Sequence, residues 1–143
     1  MPLRAITYSS EVLPGLPHDR IEALAHDAAE FNLIAGVTGL LVFDGARFLQ
    51  YFEGPDDGVT AAYSRITASS SHMNLVELGR ALIGRRLFPY WSMRMLQADP
   101  QQLRNAIGND WTTFVMRSGS HGGALYGVEA LARLAAPHVS PVP

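Results

Sequence analysis

Three side chains in this 143-residue sequence could do chemistry by hydrogen bonding alone: the phenol of Tyr8 and the amides of Asn32 and Gln50. A phenol both donates and accepts, as does each amide, so the set suits the carbonyl and N–H edge of a planar heterocycle. None of the three is a good nucleophile or general base near neutral pH. Gln50 stands in Phe48-Leu49-Gln50-Tyr51-Phe52-Glu53-Gly54, where period-two alternation puts Phe48, Gln50 and Phe52 on one face of a strand. Two phenylalanines mark that face as buried, and an unpaired buried amide costs about 1–3 kcal/mol. A backbone group, an ordered water or a ligand with polar edges must therefore meet it.

Other candidates are weaker taken singly. Trp91 and Met93, two residues apart, are core residues by default, and Arg65 is by default a surface residue. His26 and Glu30 share a helix face at i, i+4, but two ligands without a third do not make a metal site. The serines at 9–10 and 69–71 lack a nucleophile-elbow pattern. Arg85-Arg86 reads most simply as a solvated pair.

Composition removes whole classes of function. There is no Cys, hence no disulfide, thiolate nucleophile, Cys-rich metal site or cysteinyl adduct. All 11 basic residues are Arg, which excludes a Schiff-base lysine and a Walker-type phosphate loop. A net charge of −2 gives no sign of a nucleic-acid or anionic-membrane surface. The longest apolar run, 33–43, is broken by Gly36, Thr38 and Gly39 and is too short to span a bilayer. No signal-peptide pattern opens the chain, and a cytoplasmic protein is expected.

The elements that must position these side chains follow in order. Leu3 to Ser9 alternates as a first strand, with Arg4, Ile6 and Tyr8 on one face. Asp19 and Glu22 form a capping-box pattern opening a helix whose stripe is Ile21, Leu24, Ala25, Ala28 and Asn32, and Gly36 stops it. Val37 to Phe43 is a second strand, and Asp44-Gly45 turns it into the third, over Phe48–Gly54. Gly54-Pro55-Asp56-Asp57 caps a second helix with the stripe Val59, Ala62, Tyr63 and Ile66, and Arg65 and Ser69 lie one turn apart beside it. Asn74–Ile83 is a fourth strand; Trp91–Leu96 is a fifth, with Trp91, Met93 and Met95 on one face. The β-α-β-β-α-β pattern plus one strand is a ferredoxin-like α+β layout, with both helices on one face and strands one and three adjacent. Tyr8 and Gln50 are then neighbours, under Asn32 and Ile66. Asp99-Pro100-Gln101-Gln102 opens a third helix with an apolar face of Leu103, Ala106, Ile107, Trp111, Phe114 and Val115. A break at Gly119–Gly123 and a short helix over Ala124–Ala135 follow.

Five blocks together, 4–10, 32–41, 48–54, 63–66 and 86–93, resemble in order and spacing the BLUF family of blue-light sensors using FAD. The resemblance implies a flavin held without a covalent bond, in the form of FAD, FMN or riboflavin, between the two helices and above the sheet. It implies Tyr8 as electron and proton donor and Gln50 as the bridge whose hydrogen bonds change on excitation. Asn32 and Arg65 would hold the ring edge and Leu24 and Ile66 would sandwich it, with Ser69 and His72 completing the binding set. Trp91 and Met93 would carry the change outward. The chain departs from the family pattern in two places. Ser69-Ser70-Ser71-His72 stands where Asp-x-Arg-His is usual, so a carboxylate partner for Arg65 is lost, and Phe31 stands where a polar residue is common.

The expected organisation is a flavin-binding domain over 1–97, a helical extension over 98–136 and a flexible tail over 137–143, of the short stand-alone type. The expected function is photoreception without substrate turnover, signalling to a partner protein. Self-association is one way to cover the apolar faces of the C-terminal helices. The competing readings are a light-insensitive interaction module, and an acylphosphatase-like hydrolase using Arg4 or Arg65 with Asn32.

Overall fold

The computed structural model describes residues 2–116 and 126–138. Its elements are β1 (Leu3–Val12), α1 (His18–Ala35), β2 (Thr38–Phe43), β3 (Arg47–Pro55), α2 (Asp56–Thr67), β4 (His72–Ile83), β5 (Arg94–Gln97), α3 (Pro100–Ile107) and α4 (Gly127–Ala135), closed by one 3-10 turn at Ala136–His138. The strands form one sheet in the order β4-β1-β3-β2-β5, antiparallel except where β2 meets β5. This is the expected ferredoxin-like arrangement, with β3 between β1 and β2.

Strand alternation divides the protein into two cores. On the front, Ile6, Tyr8, Phe48 and Phe52 pack with Ile21 and Ala25 of α1 and Val59 and Ala62 of α2. On the rear, Ala5, Leu40, Leu49 and Tyr51 pack with Phe88, Leu103, Trp111, Phe114, Val128 and Leu131. The C-terminal helices therefore close the rear face of the same sheet.

Local chemistry explains the joints. The chain leaves α1 through Gly36 at φ 75°, a left-handed conformation natural to glycine, and Asn32 C=O accepts from both Gly36 and Val37 N–H. In the β2–β3 turn, Asp44 Oδ1 accepts from Ala46 and Arg47 N–H at 2.8 Å, with Gly45 at φ 103°. At α3 the Asp99 side chain accepts from Gln102 N–H at 2.8 Å, and Gln102 Oε1 accepts from Asp99 N–H at 3.0 Å. Asp99→Ala is expected to cost about 1 kcal/mol, read as a shift in the denaturant midpoint with an unchanged slope; no shift would remove the cap from the account.

Several local expectations are corrected. α1 starts at His18 with Pro17 in the capping position, so Asp19 lies in the first turn and bonds only Arg20 N–H. α2 likewise has Pro55 as its N-cap, and Asp56 accepts from Arg4 Nε at 2.6 Å rather than capping. β5 starts at Arg94, so Trp91 and Met93 precede the strand. α3 ends at Ile107, and Trp111 and Phe114 reach the rear core from the segment after it, while Val115 is exposed. The expected break at 119–123, and residues 139–143 of the expected tail, lie outside the described residues.

Candidate functional site

Tyr8 and Gln50 are directly opposite in the β1–β3 ladder, so their side chains leave the same face together. Tyr8 O–H donates to Gln50 Oε1, and Gln50 Nε2 donates to Met93 Sδ at 3.4 Å. The amide is thus used at both ends, by a phenol and by a thioether, inside a core where both residues are only 4% exposed. A thioether is a weak acceptor, so Gln50 is satisfied but loosely held on that side.

Above this pair lies a cavity of about 340 Å³ between α1, α2 and the sheet. Tyr8, Leu41, Phe48 and Gln50 form its floor; Ile21, Leu24, Ala25 and Ala28 of α1 form one wall; Arg65, Ser69, Ser71 and His72 form the other, with Asp27 also lining it. Of the sequence-predicted residues, Tyr8, Leu24, Gln50, Arg65, Ser69 and His72 all line the cavity. Asn32 and Ile66 do not. Asn32 is buried and donates through Nδ2 to Ser92 C=O at 3.0 Å, while Ile66 packs against the front core and its carbonyl meets His72 Nε2 at 3.0 Å.

The donor set fits a flavin. His72 Nε2 faces a carbonyl and so donates to it, and its Nδ1 is buried with no partner among the described residues, in a side chain that lines the cavity. Arg65 stacks over Phe31 at 5.0 Å, and no carboxylate pairs with it among the described residues. A mostly apolar slot with a phenol–amide pair on its floor and a guanidinium on its wall suits a flat ring with polar edges. The hydrolase reading, Arg4 or Arg65 with Asn32, lacks support in the geometry. Asn32 is held by Ser92 and does not line the cavity, and Arg4 is tied to Asp56, so Arg65 stands there without its amide. Among the described residues no three His, Cys, Asp or Glu cluster as a metal site, and no helix is long and apolar enough to cross a membrane.

Burial, with a smaller contribution from Tyr63, lifts the Tyr8 phenol well above the 10.0 of an ordinary tyrosine. Burial, then the neighbouring Glu53, does the same to Tyr51. Both stay neutral in the folded chain where an unfolded chain would ionise. Their contribution to stability is complete below about pH 10 and is lost as pH rises above it, at about 1.4 kcal/mol per unit for each phenol. Denaturant midpoints measured across pH 9–12 are expected to fall steeply past 10; a flat profile would contradict the burial of these hydroxyls.

Trp91 and Met93 do not share a face. Met93 is in the front core against Gln50, while Trp91 packs with the rear core, its ring stacked 6.4 Å from that of Phe88. The segment between them crosses the sheet edge, held by Gly39 N–H to Trp91 C=O at 2.8 Å and by Asn32 to Ser92.

Sequence reasoning missed a second polar cluster on the rear face. Glu53 is fully buried and accepts from Tyr51 O–H and Leu87 N–H at 2.8 Å each and from Phe88 N–H at 2.6 Å. Burial pushes its pKa up, against the pull of those donors and of the Arg86 guanidinium. Arg86 is no solvated partner of Arg85: it donates to Gly36 C=O at 2.7 Å, Thr38 Oγ1 at 2.9 Å and Glu53 C=O at 3.3 Å. A glutamate at an inward position of a strand otherwise lined by Leu49 and Tyr51 was the available signal.

Comparison with known proteins converges on one family. The model described as BLUF, sensors of blue-light using FAD, matches residues 3–94. The blue light- and temperature-regulated antirepressor BluF of Escherichia coli (strain K12) is 36% identical over 76 residues, 53% of this chain and 19% of that protein. The photoactivated adenylate cyclase subunit beta of Euglena longa is 28% identical over 87 residues, 61% of this chain and 10% of that protein. The chain thus spans less than a fifth of the length of these relatives. Among solved structures, the dark state of BlrB, a BLUF protein, matches with a TM-score of 0.64 and 31% identity, covering 67% of this chain and 73% of that one. Klebsiella pneumoniae BlrP1 with FMN and cyclic diGMP matches with a TM-score of 0.62 and 36% identity, covering 66% of this chain and 26% of that one.

Proposed function

Because the chain belongs to the BLUF family of blue-light sensors, we propose that its front cavity holds FAD and that Tyr8 and Gln50 are the pair that light switches. The observation that carries this reading is the hydrogen-bond line from Tyr8 O–H to Gln50, both on the cavity floor, and on from Gln50 to Met93. The bound flavin supplies absorption of blue light and an excited electron acceptor. The chain would supply a phenol, which burial keeps from ionising even in alkali, and an amide that can exchange its ends or its tautomer.

Rotation of the Gln50 amide turns Oε1 toward Met93 Sδ and Nε2 toward the Tyr8 oxygen. The thioether, which has no proton to give, then loses its donor, and Tyr8 changes from donor to acceptor. Both changes return the rotated amide to its starting arrangement in the dark. Met93 is the residue that feels the switch directly, and Trp91, two residues along the same strand-edge segment, receives it through the backbone.

Arg65, Ser69 and His72 are assigned to the polar edge and sugar chain of the flavin, with Leu24 against the ring. Asn32 acts by holding Ser92, and Ile66 by placing His72. Residues 1–97 are the sensing unit and 98–136 the part that displays the change, to an effector protein rather than to a substrate.

The test is reconstitution with FAD, and with FMN and riboflavin in parallel, followed by blue illumination. A bound flavin whose absorption moves reversibly to longer wavelength is expected. Protein that stays colourless after reconstitution, or a bound flavin with an unmoved spectrum, overturns the reading.

A further inference from the structure

We propose that Glu53 is a positioning residue that anchors the output segment from behind the sheet and thereby sets the lifetime of the switched state. The proposal rests on the Tyr8–Gln50 reading above but concerns a different face of the protein.

Glu53 lies on β3 three residues after Gln50, so alternation sends its side chain to the rear while Gln50 points to the front. Its carboxylate accepts two consecutive backbone N–H groups, Leu87 and Phe88, and its own strand neighbour Tyr51 closes the cluster. Arg86 adds three bonds from the same loop to Gly36, Thr38 and the Glu53 carbonyl. Phe88 then packs edge-on to Tyr51 at 5.3 Å and stacks on Trp91. The segment 86–93 is thus held at its rear end by the Glu53 carboxylate, midway by Gly39 on Trp91 and Asn32 on Ser92, and at its front end by Gln50 on Met93.

Charge-assisted hydrogen bonds are about twice as strong as neutral ones, so the rear end is the stiffer. A segment held stiffly in its dark position cannot relax around a rotated Gln50, and the switched state stays strained. Loosening the rear end lets the segment adjust, which stabilises the switched state and slows its decay. The isostere Glu53→Gln keeps the volume and removes the charge. Its single oxygen cannot meet all three donors as the carboxylate does.

In flavin-loaded E53Q the red shift is expected at wild-type size, because the cavity floor is on the other face. Dark recovery is expected to slow by about tenfold, the factor that one lost charge-assisted bond allows. In flavin-free protein the Leu87 and Phe88 amides are expected to exchange with solvent faster. Arg86→Gln, which removes the bonds to Gly36, Thr38 and the Glu53 carbonyl but leaves those of the Glu53 carboxylate in place, is expected to slow recovery less, and it carries the test if E53Q does not fold. Recovery unchanged or faster in the folded variant, or unchanged amide exchange at 87–88, overturns the proposal and marks Glu53 as structural only. A wild-type protein with no red shift overturns the underlying reading instead.

Discussion

Gln50→Leu is expected to abolish the light-induced red shift while leaving a bound flavin. Leu has nearly the volume of Gln and suits the front core, so the fold survives, but neither end of the switch remains. Tyr8 O–H loses its acceptor and Met93 Sδ its donor. A buried hydroxyl without a partner costs about 1–3 kcal/mol, so a modest fall in melting temperature accompanies the spectral loss. Tyr8→Phe is expected to act in the same direction by removing the phenol. The measurement is the absorption spectrum before and after blue illumination, with released flavin quantified to show that the cofactor is present. A wild-type shift in Q50L would remove Gln50 from the mechanism.

The largest expected stability effect belongs to Gly39, which sits where β2 passes β3 and the output segment. A Cβ there would lie 2.0 Å from Tyr51 O and 2.8 Å from Phe52 Cα, both backbone atoms of the paired strand. Such atoms cannot swing aside as a flexible side chain can, so the ladder must open. Gly39 N–H also donates to Trp91 C=O, so displacement of β2 drags the segment that follows. Gly39→Ala is expected to cost about 3 kcal/mol or more, on the order of 10 °C in melting temperature for a chain of this size. A variant melting within about 2 °C of wild type would show that the β2–β3 approach is looser than described.

The parts of this design that were legible in the sequence are those governed by unbroken periodicity. Phe48, Gln50 and Phe52 alternate within a strand paired on both sides, so the face of Gln50 and its meeting with Tyr8 follow directly. Trp91 and Met93 have the same spacing, yet the inference fails for them. No ladder pairs residues 91–93; the β2–β5 pairing begins at Arg94, and a backbone free of a ladder need not alternate. The apolar stripe after Asp99 runs past its helix for a related reason. Gly108 N–H closes onto Arg104 C=O and ends the helix, while Trp111 still reaches the rear core, donating to Ala106 C=O.

Residues on regular elements, Tyr8, Leu24, Gln50 and Arg65, fall on the cavity as expected. Asn32 also lies on a predicted stripe, but its partner Ser92 belongs to an irregular segment that no pattern locates. Glu53 and Arg86 escaped for a different reason. A charged residue in a strand, or in a pair of arginines, reads as solvated until its partners, here backbone N–H and C=O groups far along the chain, are known.

The central claim, that the Gln50 amide changes its hydrogen bonds when light is absorbed, is tested most directly by light-minus-dark infrared spectroscopy of flavin-loaded protein. Glutamine carrying carbon-13 at the side-chain carbonyl identifies the amide bands, and Q50L assigns the one from residue 50. The account predicts a label-sensitive carbonyl band that shifts on illumination, recovers with the visible spectrum and is missing in Q50L. A wild-type red shift with every glutamine carbonyl band unmoved would contradict it.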